Sequence, residues 1–248
     1  MNRKMFLKEA GRKRVPSLLL DVLYPPRCPF CGEAVPVGQR YHSACAEKIP
    51  RIRGMRCQKC GKPTAEGEKL CGDCSAAEHR FDAGFGAFVY DGAVRDALLA
   101  LKFRGKKEYA DVLGEMTAEE AGEFLREQKI VLFLPVPMHR KKQKFRGYNQ
   151  AGVLADAISF HTGIPVLKNT LVRTRGTSAM KTLGVQERRE NLRGAFLVRD
   201  PLPVRGKKIC LIDDIYTTGA TADGCAEACF AAGAAGVCVL TAGIGDDR

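Results

Sequence analysis

Lys208-Ile-Cys-Leu-Ile-Asp-Asp-Ile-Tyr-Thr-Thr-Gly-Ala-Thr221 is the stretch on which the fold turns. Its apolar run, Ile209 to Ile212, is bounded by charge and a turn, the pattern of a buried strand. Thr217-Thr218-Gly219 ahead of an alanine-rich segment to about Ala232 reads as a helix start. Strand, loop and helix therefore follow one another. The free N–H groups of such a loop converge on one spot, and the helix dipole favours negative charge there. Asp213 and Asp214 fall at the carboxyl end of the strand, where open α/β sheets bind ligands.

That arrangement suits a phosphorylated sugar. Thr hydroxyls and backbone N–H groups would hold a terminal phosphate, and the two carboxylates would accept hydrogen bonds from vicinal ribose hydroxyls. Glycine at 219 would let the backbone come close to the phosphate. The plainer alternative is a solvated Asp-Asp turn followed by an ordinary helix cap. As an ordered whole, the stretch resembles the 5-phosphoribosyl 1-diphosphate (PRPP) signature of type I phosphoribosyltransferases. The resemblance implies that Asp213 and Asp214 face the ribose, as the catalytic pair, and that Thr217, Thr218, Gly219, Ala220 and Thr221 hold the 5-phosphate, with Tyr216 beside them.

Upstream, cysteines dominate. Cys28-x2-Cys31-x10-His42-x2-Cys45 is followed by Cys57-x2-Cys60-x10-Cys71-x2-Cys74, a repeat 29 residues on, with His42 standing where Cys71 stands. Gly32 and Gly61 each follow the second cysteine. Zinc takes four tetrahedral S/N ligands, supplied as short-spaced pairs. Two complete sets predict two closed structural sites, and no ligand is missing to leave a position for water. Disulfides are the alternative; an odd cysteine count of 11, the repeat and the lack of a secretory pattern argue against them. Spacing leaves open whether the sites are sequential or interleaved. Cys210, Cys225, Cys229 and Cys238 lie in apolar context and read as core; Cys225 and Cys229 also share a helix face at a metal-compatible spacing.

Between the cysteines and the Asp-Asp stretch the pattern alternates. Phe85 to Tyr90 reads as a strand, Val94 to Phe103 and Glu108 to Gln128 as helices, and Ile130 to Leu134 as a buried strand stopped by Pro135-Val-Pro137. A basic loop over 138–147 follows, able to bind pyrophosphate or simply to be a solvated charge run. Tyr148 to His161 reads as a helix, and Ile164 to Val166, Thr170 to Val172 and Ala195 to Val198 as short strands. Arg173 to Asn191 is polar and basic, as a loop closing over a charged substrate would be, or a disordered one. Val237 to Thr241 is the last strand. Alternating strands and helices predict a parallel α/β sheet with helices on both faces.

The chain has 248 residues and a formal net charge of +12, most of it within residues 1–80. That hints at an anionic partner for the small module, nucleic acid among the choices, or only at solubility. The apolar run Val15 to Leu23 is broken by Ser17 and Asp21, and no secretory signal is apparent. Ala228 to Gly245 is uncharged, but its turn at Ala232-Gly233 fits helix, turn and strand better than a membrane span. The expectation is a cytoplasmic protein without membrane insertion. Its divisions would be a basic N-terminal segment over 1–27, a double zinc ribbon over 28–78 and an α/β domain over 79–248.

Taken in order, the zinc pairs, Pro135-Val-Pro-x-His139, Arg146-Gly-Tyr-Asn-Gln150, Glu187-Arg-Arg-x-Asn191 and Asp213 to Thr221 resemble the ComF family. In that family a double zinc ribbon is joined to a type I phosphoribosyltransferase-like domain associated with bacterial competence for DNA uptake. The resemblance runs from about residue 18 onward and departs at Met180, where the family usually has glutamine. It implies attack of a nucleophile on the anomeric carbon of PRPP, with Mg²⁺ and cations assisting the pyrophosphate; Lys102, Arg140, Lys141 and Arg146 are the candidates. Two zinc ions, Mg²⁺ with PRPP, and single-stranded DNA or competence-machinery proteins are the implied cofactors and partners. A non-enzymatic adaptor that docks DNA through the basic zinc module is the alternative. Nothing in the sequence names the acceptor nucleophile.

Overall fold

Ile209 to Ile212 forms the first half of β5 (Lys208–Tyr216) and is buried on both faces. The computed structural model describes residues 25–174 and 194–245. The chain divides into two compact units, with the division between Lys48 and Ile49.

The described part of the first unit is a small ribbon. Arg27 bridges Ala34 across a knuckle in which Gly32 N–H donates to the Cys28 carbonyl and Cys28 N–H to that of Glu33. A single-turn helix, α1 (Ser43–Glu47), carries Cys45.

The second unit opens with the same ribbon 29 residues later. Arg56 bridges Pro63, Gly61 N–H donates to the Cys57 carbonyl and Cys57 N–H to that of Lys62, and α2 (Gly72–Ala76) carries Cys74. The sequence repeat is thus a repeat of backbone hydrogen bonds. This ribbon packs on the sheet that follows it, and so belongs to the same unit as the α/β fold.

That fold runs β1 (Ala83–Val89), α3 (Gly92–Phe103), α4 (Tyr109–Glu127), β2 (Leu132–Pro135), α5 (Arg140–Arg146), α6 (Gln150–Thr162), β3 (Leu171–Arg173), β4 (Phe196–Val198), β5, α7 (Ala220–Ala231) and β6 (Gly236–Ile244). The main sheet has the order β1-β6-β5-β2 and every pair is parallel. Beyond β2, Val166 forms a parallel bridge with Phe133, which places the expected Ile164 to Val166 piece on the sheet's edge. β3 and β4 pair antiparallel in a separate ribbon.

Residues of β6 are buried throughout, as a strand covered on both faces requires. Ala222, Cys225, Ala226 and Cys229 of α7 pack with Ile209, Leu211, Val237 and Val239. By the two-residue alternation of strands, Cys210, Ile212, Cys238 and Leu240 point the other way, where α4 and α6 cover the sheet. The four cysteines outside the ribbons are buried core residues, as expected.

One expectation is corrected. Residues 138–147 are not a loop throughout: Arg140–Arg146 is helical. His139 caps it, its Nδ1 accepting from the Lys141 N–H, and Gly147 ends it in the left-handed conformation. A seven-residue helix without apolar periodicity gives a sequence reading nothing to detect except its caps.

Candidate functional site

Parallel pairing brings the carboxyl ends of β2, β5 and β6 together. Pro135 sits opposite Ile212, and Asp213 opposite Thr241. β5 continues to Tyr216, so both acids lie in the strand itself. Alternation sends them to opposite faces: Asp213 lines a cavity, while Asp214 points toward α3 and α5.

The cavity holds about 410 Å³. Thr217 to Thr221 form one wall, and Asp213, Val136, Lys142 and Thr241 complete much of the rest. Gly219 (φ 76°) turns the chain into α7, whose first N–H groups are the orphan donors of a helix start. Thr241 Oγ1 is buried and has no hydrogen-bond partner among the described residues, leaving a polar atom on the cavity wall. These donors suit a phosphate group.

Burial, and then the adjacent Asp214 charge, push the Asp213 carboxyl well above the usual carboxylate range, while Lys102 opposes this. Lys102 Nζ stands 3.1 Å from Asp214 Oδ2, ion-pair distance but out of line for a hydrogen bond. Arg146 is the second cation near Asp214; burial lowers its pKa and the Asp214 charge works against that.

The Arg146-Gly-Tyr-Asn-Gln150 stretch now has a mechanical account. Arg146 donates to Gln150 Oε1 and lies over the Phe103 ring. The Tyr148 hydroxyl donates to the Leu101 carbonyl, tying α3 to the start of α6. Asn149 caps α6 through the Ala151 N–H and donates to the Val136 carbonyl at 2.9 Å. The motif fixes the strand end and the two cations relative to each other.

Arg140 stands elsewhere. It lines a second cavity of about 390 Å³ with Lys107, Lys168, Arg173 and Arg199, not the cavity of Asp213. Lys142, from the same helix, is the cation that reaches the first cavity; sequence reading did not single it out. Tyr216 is buried, and its hydroxyl goes to His79 Nε2 at 3.3 Å, so its ring is part of the cavity's support. Of the basic segment Arg173 to Asn191, all beyond residue 174 lies outside the described residues, as does most of the N-terminal segment 1–27.

Beneath the cradle lies a group that no motif announced. His79 Nδ1 meets Asp223 Oδ2 at 2.9 Å, and the Arg80 N–H donates to Asp223 Oδ1 at 2.8 Å. With Nδ1 donating, Nε2 is left to accept the Tyr216 hydroxyl. His79 also stacks on Phe81, with ring centroids 5.0 Å apart.

The expected metal ligands assemble sequentially, settling the question that spacing left open. Cys28, Cys31, His42 and Cys45 form one group, and Cys57, Cys60, Cys71 and Cys74 the other, with ligand atoms in each within 4.8 Å of one another. Tetrahedral zinc–thiolate bonds put sulfurs ~3.7 Å apart. Cys60 Sγ and Cys71 Sγ are 3.5 Å apart, and Cys31 Sγ and His42 Nδ1 3.4 Å. His42 Nε2 is 3.1 Å from the Ala34 carbonyl, the outer contact that fixes Nδ1 as the metal-facing nitrogen. The Cys74 thiol, hydrogen-bonding to Cys60, holds the Cys60 thiol down at about 6. Both donor sets fit structural zinc.

Residues 19–75 match the double zinc ribbon domain. Over 200 residues the chain is 29% identical to the DNA utilization protein YhgH of Salmonella typhimurium, covering 79% of this chain and 86% of that one. It is 28% identical over 185 residues to competence protein F of Haemophilus influenzae, covering 72% and 79%. Against the crystal structure of a purine phosphoribosyltransferase from Pyrococcus horikoshii the TM-score is 0.31 and the identity 16%, over 50% of this chain and 68% of that one. Most of its length is shared with these relatives and two ribbons stand ahead of a parallel α/β sheet, so the chain is similar to competence protein F in both parts.

Proposed function

We propose that the chain binds PRPP with Mg²⁺ at the carboxyl ends of β5 and β6 and transfers the 5-phosphoribosyl group to an acceptor, or senses PRPP. One observation carries the reading: a carboxylate pair leads directly into a helix-capping phosphate cradle, and the cradle opens with Asp213 on one cavity that also holds a lysine and an orphaned hydroxyl. On this reading Thr217 to Thr221 take the 5-phosphate and Asp213 the ribose hydroxyls. Asp214 holds Lys102 and Arg146 where negative charge develops as the C1–oxygen bond to pyrophosphate breaks and the bond to the acceptor forms. Mg²⁺, bound with PRPP, supplies further positive charge for the departing pyrophosphate. Residues 28–78 would serve as the ribbon module and 79–248 as the transferase-type domain, in a protein acting in the cytoplasm. No helix among the described residues is long and apolar enough to cross a membrane.

Calorimetric titration of the zinc-loaded protein with PRPP and Mg²⁺, followed by a pyrophosphate-release assay, tests this reading. Binding abolished by Asp213→Ala with Asp214→Ala is the expected result. Unchanged affinity in that double variant would sink the proposal. Binding without pyrophosphate release would favour the sensor or a missing acceptor.

A second reading, a DNA-docking adaptor in competence, is favoured by a surface feature. Phe103 and Phe145 are 69% and 97% exposed, and they stand among Arg104, Lys141, Lys144 and Arg146. Exposed aromatics interleaved with cations are what stacking on single-stranded nucleic acid uses. The basic ribbon module is the other candidate surface. Gel shifts with single-stranded DNA at two salt concentrations decide it: no shift at low salt removes the adaptor, and loss of the shift in Phe103→Ala with Phe145→Ala places it on this patch.

A further inference from the structure

The second ribbon and the phosphate cradle share one core. Cys57, Cys60 and Cys71 belong to the same buried cluster as Tyr216, Ala220 and Ala222. At Gly84 ribbon and sheet meet backbone to backbone. Gly84 N–H donates to the Lys59 carbonyl at 2.7 Å, and a Cβ on Gly84 would stand 2.8 Å from the Cys60 carbonyl oxygen. Arg56 Nη1 donates to the Gly86 carbonyl at 2.8 Å. The zinc knuckle is therefore seated directly on β1.

From Cys74 the chain runs five residues to His79, and that imidazole supports the cradle at two points. Its ring lies under Gly219: a Cβ there would come within 2.6 Å of His79 Cε1 and 2.5 Å of the Tyr216 hydroxyl. Its Nδ1 and the Arg80 N–H hold Asp223, one turn into α7. The helix start that would face the phosphate is thus clamped at both ends of its first turn by the segment leaving the ribbon. Asp223's charge is engaged beneath the cradle, not within it.

We propose that His79 is a positioning residue through which the second ribbon sets the phosphate cradle, so that zinc at Cys57, Cys60, Cys71 and Cys74 and PRPP at Thr217–Thr221 strengthen each other's binding. The inference rests on the reading of this cavity as a PRPP site. Loss of the metal frees Cys71 and Cys74, and with them the segment that carries His79. Coupling between two binding sites is reciprocal: the factor by which zinc raises PRPP affinity is the factor by which PRPP raises zinc affinity.

The test uses the full-length, zinc-loaded protein and a zinc-selective chelator, with and without PRPP and Mg²⁺. Cluster-specific thiol labelling distinguishes the two zinc ions, and the first cluster, in the other compact unit, is the internal reference. PRPP should raise the apparent affinity of the second zinc about tenfold, within the usual range of such couplings, and leave the first unchanged. Removing the second zinc should lower PRPP affinity by the same factor. His79→Ala should keep two zinc ions and a cooperative melt while PRPP protection disappears. If that variant fails to fold, His79→Gln, which can still donate to Asp223, should retain part of the protection. Undiminished PRPP affinity after loss of the second zinc overturns the inference and leaves the PRPP site standing. Protection of both zinc ions alike overturns it as a general stabilisation. Absence of PRPP binding to the fully loaded protein removes both.

Discussion

Lys102, near the end of α3, places its Nζ 3.1 Å from Oδ2 of Asp214, near the end of β5. The sequence separates them by more than a hundred residues, and the tie between the Tyr148 hydroxyl and the Leu101 carbonyl sets their approach. Asp214 is 5% exposed at its side chain and Lys102 27%. Lys102→Met would keep the packing of the stem and leave Asp214 with Arg146 as its remaining cation. Removing one partner of a buried pair costs up to 3–5 kcal/mol, and the partial exposure of Lys102 reduces this to about 1–3 kcal/mol. The denaturation midpoint should fall accordingly. On the proposed function, PRPP affinity should fall too, since the freed carboxylate repels the pyrophosphate.

Asp213 should trade stability for binding. Burial, and then the Asp214 charge, raise its pKa well above the ordinary value. The folded state therefore holds a proton that the unfolded chain releases, and stability falls as pH rises from the ordinary carboxylate range, about 4, through the raised folded value. Asp213→Asn removes that loss. Its melting temperature should exceed that of the unmodified chain by about 2–4 °C at neutral pH, the shift that ~1 kcal/mol gives a chain of this size. The gain should vanish below about pH 3, where the aspartate is protonated in both states. A gain that persists there would assign the effect to packing. The same variant should lose PRPP binding.

What the sequence showed and what it hid have physical reasons. β5, the Thr-Gly turn and α7 were legible because strand, cap and helix are local patterns. The ribbons were legible because four thiol or imidazole ligands, paired at short spacing and then repeated, match tetrahedral zinc and little else. His79 was not, since a lone histidine gives no sign that residues 216 and 223 will close around it. Thr241 read as one more position of a buried strand; its value comes from lying beside Asp213 in the sheet register. Arg140 and Lys142 looked alike in a basic run, and only the turn of α5 sends them to different cavities.

The seat of the second ribbon on β1 should be intolerant of any side chain. Gly84→Val would drive Cβ into the Cys60 carbonyl, with backbone on both sides and no flexible group to give way. Overpacking of this kind costs typically 1–3 kcal/mol. The expected readout is an earlier melt with easier zinc loss from Cys57, Cys60, Cys71 and Cys74 only. Equal loss from both clusters would contradict the local origin of the effect.

Gly219 combines two constraints in one residue. Its φ of 76° lies in the left-handed region, which costs a residue with a Cβ roughly 1–2 kcal/mol. Its Cβ would also meet the Tyr216 hydroxyl and the His79 ring, which cannot both retreat because Asp223 and Phe81 hold the imidazole. Gly219→Ala should therefore destabilise the chain by about 2–4 kcal/mol, the backbone cost plus overpacking. It should also tilt the first turn of α7, so that PRPP binding weakens more than the lost stability alone would give. Shrinking the neighbour separates the two effects. Tyr216→Phe in the Gly219→Ala background removes the nearest clashing atom and should recover part of the stability, while the left-handed cost remains. No recovery in the double variant would mean that backbone conformation, and not the contact with Tyr216, sets the need for glycine here.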